Sequence, residues 1–127
     1  MALLERRMVL VQDEIKADKP ADAWWFMHTA ATVQIAEDGA SATLAQGKVR
    51  LWARILTPGD AKFTVMEAQA LPTSPHPEGQ KKNDGVRKLA IHLPGATDAR
   101  LAVLLVPLKE GEDAPARLPE VRPLAGW

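Results

Sequence analysis

Apolar residues in this chain recur with a period of two rather than three to four, the signature of strands half-buried against a core. Val49 to Thr57, VRLWARILT, shows it most cleanly: Val49, Leu51, Ala53 and Ile55 fall on one face, Arg50, Trp52 and Arg54 on the other. WWFMHTAATVQI, from Trp24 to Ile35, does the same, with Trp25, Met27, Ala31, Val33 and Ile35 on the core side and Trp24, Phe26, His28, Thr32 and Gln34 opposite. Further strands are predicted over Met8–Asp13, Ser41–Gln46, Lys62–Ala68, Val86–Leu93 and Arg100–Pro107, where β-branched and aromatic residues gather between turn signals.

The punctuation between them is equally local. KADKPAD, Lys16 to Asp22, reads as a loop, since it collects charge and Pro20 cannot donate to a ladder. Asp38-Gly39 marks a tight hairpin and Gly47-Lys48 a second one, Pro58-Gly59-Asp60 ends the next strand, and Pro94 to Asp98 joins the last two. Between Ala70 and Gly85 the chain predicts a long irregular loop. These elements predict an all-β fold, an antiparallel β-sandwich of about seven strands over residues 1–108, followed by a proline-rich tail over 109–127 that is extended or partly disordered. The expected inward set is Leu10, Trp25, Met27, Val33, Ile35, Leu51, Ile55, Val65, Leu89, Ile91, Val103 and Leu105.

Composition narrows the chemistry. A chain of 127 residues is sized for one domain, and none of its apolar runs approaches the roughly 18 to 20 residues of a membrane span. The N-terminus brings in Glu5, Arg6 and Arg7 before an apolar stretch develops, so it does not read as a secretory signal, and the chain carries no address of its own. Sixteen basic and sixteen acidic residues cancel, which argues against nucleic acid as a partner. There is neither cysteine nor tyrosine, which removes thiol chemistry and disulfides.

The remaining reactive side chains are few. Ser41 opens a hairpin strand and Ser74 lies in the proline-rich loop, neither in a nucleophile-elbow pattern. His28, His76 and His92 are widely separated, unlike the converging ligands of a zinc site. No catalytic or metal-ligating set is therefore assigned. His28 is expected to pack, one ring nitrogen bonded to a carbonyl or carboxylate. Two groups remain as candidate ligand contacts: the aromatics Trp24, Trp52 and Phe26, which suit a sugar face, with His28 as a further contact, and the basic residues Lys81, Lys82 and Arg87, which with Lys88, Arg50 and Arg54 suit an acidic polysaccharide. Core packing for the aromatics and a solvated charged face for the cations are the competing expectations.

Taken in order, VLVQDEI, a proline-bearing loop, WWFMHT, IAEDGASATL, VRLWARILTPGDAKF, VRKLAIHL and LAVLLVPL resemble the C-terminal β region of the heparinase II/III-like polysaccharide lyases. The similarity runs from Arg7 to about Leu108, and its most specific piece is Trp25 to Thr29 following the Asp13-Glu14 strand. The resemblance implies a parent enzyme with a helical toroid, a central β-sandwich and this C-terminal β part, periplasmic or secreted, which cleaves uronic-acid polysaccharides by β-elimination. That reaction removes the proton α to the uronate carboxyl group and expels the C4-linked sugar, which takes a neutralised carboxylate, a base and an acid. The family uses tyrosine and histidine there, with a metal held by histidines and aspartate in the upstream sandwich. This chain has no tyrosine and no paired-histidine motif, and His28 matches no catalytic or metal position of the family. The resemblance thus implies a non-catalytic chain with no cofactor of its own, whose partners are the rest of the lyase and an acidic polysaccharide. A strand beginning almost at Met1 is expected of a cut boundary. The rival reading is a stand-alone carbohydrate-binding or protein-interaction module working through Trp24, Trp52 and the Lys81-Lys82 loop.

Overall fold

The computed structural model describes residues 1–5, 7–67 and 86–126. Among them seven antiparallel strands form one hydrogen-bonded sheet: β1 (Ala2–Leu4), β2 (Met8–Thr29), β3 (Thr32–Ile35), β4 (Ser41–Gln46), β5 (Val49–Thr57), β6 (Phe63–Glu67) and β7 (Arg87–Leu108). The chain is all-β, and its only helical piece among the described residues is a 3-10 turn at Leu124–Gly126. Where a sandwich divides its strands between two sheets, here the order β1-β2-β7-β5-β4-β3 is continuous, and β6 adds to the edge of β7 that β5 leaves free.

The spine is the ribbon of β2 and β7, paired from Val9↔Leu105 to Thr29↔Arg87. Both segments expected to be loops, Lys16–Asp22 and Pro94–Asp98, lie inside these strands and face each other across the ribbon. Their turn residues make a bend: the register slips between Lys16 and Ala23, so that Ala17 to Pro20 oppose little more than Thr97, and Gly95 takes φ +61°. Pro20 is tolerated because β2 is an edge strand there, and its missing N–H breaks no ladder. The strand expected from Trp24 to Ile35 breaks instead at Ala30-Ala31, yet its alternation survives the break, and Trp25, Met27, Ala31, Val33 and Ile35 all pack on one cluster.

That bend gives the molecule its core. Leu89, Ile91 and Leu93 from one half of β7 and Leu101 and Val103 from the other join Ala42, Leu44, Ala53, Ile55, Ala61 and Phe63 in one buried cluster on the inner face. Of the expected inward set, Ile55, Leu89, Ile91 and Val103 are buried in it and Trp25, Met27, Val33, Ile35, Leu51 and Leu105 pack on it partly buried. Val65 is half-buried opposite Leu89. Leu10 is buried, but it pairs with Leu104, on the outer face. The curl of the sheet is tied at its rim by Phe63, whose N–H donates to the Gly39 carbonyl at 2.8 Å. Gly39 has φ +71°, and a Cβ there would meet the Lys62 side chain at 3.0 Å, so the Asp38-Gly39 hairpin accepts no other residue without strain. Asp38 Oδ1 accepts the Ala40 N–H at 3.0 Å and fixes the turn.

The outer face carries a second core: Leu104, Val106 and Leu108, with Leu4, Met8, Trp52 and Leu56 packed around them. Residues 109–126 run past it, held at two points. Near the start of the tail, Arg7 donates to both Glu112 carboxylate oxygens at 3.0 and 2.8 Å, and Arg50 donates to the Lys109 and Glu112 carbonyls at 3.0 and 2.8 Å. Near its end, Gln12 Nε2 donates to the Arg122 carbonyl at 2.6 Å, and the Leu124 N–H donates to Glu14 at 2.7 Å. Between the clasps, Leu4, Met8, Val106 and Leu108 floor a cavity of about 610 Å³ roofed by Pro115, Ala116, Leu118 and Pro119.

Both clasp carboxylates titrate below their ordinary value. For Glu14 the Leu124 N–H does most of this, with Arg100 adding to it against the opposing effect of desolvation. For Glu112 burial pushes upward, but the Lys109 N–H and the Arg7 guanidinium together outweigh it. A carboxylate depressed in the folded state stabilises above its unfolded-state value, and that contribution is lost as pH falls through the lower folded value. The tail is therefore expected to stay docked through mild acid and to loosen only below the usual glutamate range, about pH 4. Hydrogen exchange checks this: the Glu112 and Leu124 amides lose protection at about pH 3 while those of β7 keep theirs.

Candidate functional site

The richest side-chain cluster on the described surface stands on the outer face of the ribbon's other half. Trp24, Phe26 and His28 project from β2 on the face opposite the core, and His92, Ala90 and Lys88 sit directly across from them on β7. Because directly opposed residues in an antiparallel pair bring their side chains together, the register dictates the contacts. Trp24 and His92 stack with centroids 4.1 Å apart and planes 6° apart, and Phe26 lies nearly parallel to Trp24 at 5.6 Å. The Lys88 ammonium sits 4.4 Å from the Phe26 centroid, a cation–π contact that accompanies the 4% exposure of this lysine. His92 Nε2 lies 3.6 Å from Asp22 Oδ1, beyond hydrogen-bond reach, and the same oxygen accepts the Gly95 N–H at 3.4 Å.

No family model matches the sequence, and no curated protein is significantly similar to it.

The candidate residues divide accordingly. Trp24 and His28 share the outer face of β2 with Phe26 between them, and Trp24 keeps 37% of its surface exposed. His28 corrects the expectation of a packed ring: it is exposed, and its ring makes no hydrogen bond among the described residues, because the strand pairing points it outward beside Lys88 rather than beneath another layer. Trp52 shares the outer face but not the site. It pairs with Val106 at the opposite end of β7 and packs, half-buried, in the second core. Arg87 is exposed at the start of β7, opposite Thr29, on the other face of the ribbon from His28. Lys81 and Lys82, like Ser74, His76 and Asn83, lie outside the described residues.

The basic patch is not assembled by the members that are described. Arg50 is committed to the Lys109 and Glu112 carbonyls, Arg54 lies 3.5 Å from Asp38, and Lys88 is turned under the aromatic row. His92 and Asp22 are the site residues not singled out as contacts from the sequence. Nothing in the one-dimensional pattern pairs His92 with Trp24, since that pairing depends on the register of two strands far apart in the chain. Among the described residues, no three histidine, aspartate or glutamate side chains converge as a metal would need.

Proposed function

We propose that the chain is the non-catalytic C-terminal β portion of a heparinase II/III-like polysaccharide lyase and supports the domains that carry out β-elimination on uronic-acid polysaccharides. One observation carries this over the rival binding module: the disposition of the tryptophans. A sugar platform presents open ring faces side by side. Here Trp24 is stacked on His92 and Phe26, Trp25 packs on the inner core, and Trp52 is half-buried at the far end of the sheet. The rings are used for packing within the molecule, as expected of a module whose task is shape. The all-β architecture and the engagement of Arg50 with the tail carbonyls fit the same role.

Titrating the intact chain with heparin, heparan sulfate and alginate oligosaccharides while following tryptophan fluorescence tests this choice. The supporting role predicts no saturable change. A saturable change that disappears in Trp24→Ala would instead establish the binding module.

A further inference from the structure

We propose that the outer edge of β2 over Trp24–His28 is a self-association edge, on which a second copy of this chain adds the same five residues antiparallel and extends the sheet across a two-fold axis. The inference concerns the chain by itself and is independent of the lyase reading.

β2 is paired along nearly its whole length with β7, but its other side carries only β1, over Met8–Leu10. Among the described residues no strand flanks that side from Val11 to Thr29. Sheet edges are ordinarily protected by charge, proline or a bulge. The Lys16–Asp22 stretch has all three: Lys16, Asp18, Lys19 and Asp22, with Pro20, within the register slip. Trp24–His28 has none of them, and its register against β7 runs unbroken from Ala23↔Leu93 to Thr29↔Arg87. Among the described residues it is an open, regular edge, apolar but for His28.

What selects a second copy as the occupant is the complementarity of WWFMH with itself when two copies run antiparallel. An axis through Phe26 and perpendicular to the sheet sets Trp24 of each copy opposite His28 of the other, and Phe26 opposite itself. Within one chain, Trp24 already stacks on the histidine directly across from it, His92, at 4.1 Å and 6°. The dimer repeats that cross-strand pair on the same face, twice by symmetry, and gives a partner to the exposed His28 ring. On the inner face the same register sets Trp25 against Met27, a favourable sulfur–aromatic pair. No like charges oppose each other, and an isologous contact of this kind closes at two copies.

Sedimentation of the intact chain up to about 100 μM is expected to show a monomer–dimer equilibrium. His28→Asp changes an exposed side chain and so leaves the fold, checked by circular dichroism, unaltered. It sets a carboxylate against the partner's indole and is expected to weaken the dimer by about tenfold or more. Because the chain has no cysteine, Phe26→Cys can cross-link only between copies, and directly opposed Cα atoms on paired strands fall within disulfide range. Mild oxidation is expected to yield a covalent dimer from Phe26→Cys and none from Lys19→Cys. A wild-type chain that stays monomeric, a dimer indifferent to His28→Asp, or equal cross-linking by both cysteine variants would each overturn the proposal.

Discussion

Replacing Ile91 with alanine is expected to lower the free energy of unfolding by about 3 to 4 kcal/mol. The side chain is fully buried and lies in a row across three strands, opposite Trp25 on β2 and Phe63 on β6. The two rings stand 6.4 Å apart, tilted by 57°, and the isoleucine fills the space they share with the Leu89 and Leu93 side chains of its own strand. Alanine removes three carbons from a site whose walls belong to a continuous sheet. Strands tied by ladders on both sides collapse poorly onto a void, which places the cost in the upper half of the usual range. An unfolding free energy from urea titration lowered by less than about 1 kcal/mol would mean that β6 does not close over this half of the ribbon.

The second large effect concerns the tail. A chain ended after Leu108 loses the Glu112 and Leu124 clasps and the Pro115–Pro119 roof, leaving Leu4, Met8, Val106, Leu108 and Leu56 less covered. Re-exposing this patch is worth about one to two fully buried aliphatic side chains, so a loss of about 2 to 4 kcal/mol is expected, with strong binding of a hydrophobic dye. An unchanged melting temperature and no dye binding would show that the outer core is closed by the sheet alone.

The inner core was legible because period-two alternation is a local property: Leu51, Ala53 and Ile55 or Trp25 and Met27 must share a face whatever their strands pair with. The same alternation read from the other side, as Arg50, Trp52 and Arg54, correctly describes a face but says nothing about what lies on it. That face is covered by the tail, a segment without any period, and only long-range hydrogen bonds such as Gln12 to the Arg122 carbonyl show where it goes. Leu104, Val106 and Leu108 belong to a nearly continuous apolar run, the pattern of a strand buried on both sides, and that was the available signal for a second core.

Turn chemistry misled in one consistent way. Pro20 and Pro94-Gly95 each read as an interruption when seen alone. Paired across a ribbon they are the two sides of a single bend, and strands of 22 residues result where separate shorter strands and loops were expected. Asp38-Gly39 and Gly47-Lys48, by contrast, formed the expected turns, because in each the strands on either side pair with each other and the signal needs no distant partner. The aromatic site follows the same rule. Its β2 half, Trp24, Phe26 and His28, could be read from alternation, whereas His92, Lys88 and Asp22 enter only through the register.

We propose that this chain supports a β-elimination enzyme without performing the reaction. The most direct measurement is absorbance at about 232 nm, where unsaturated uronate products absorb, during incubation of the purified intact chain with heparin, heparan sulfate and alginate. A supporting, non-catalytic chain gives a flat trace with all three at high protein concentration. A steady rise that scales with protein and survives repurification would contradict it, and would place a working base and acid within this chain.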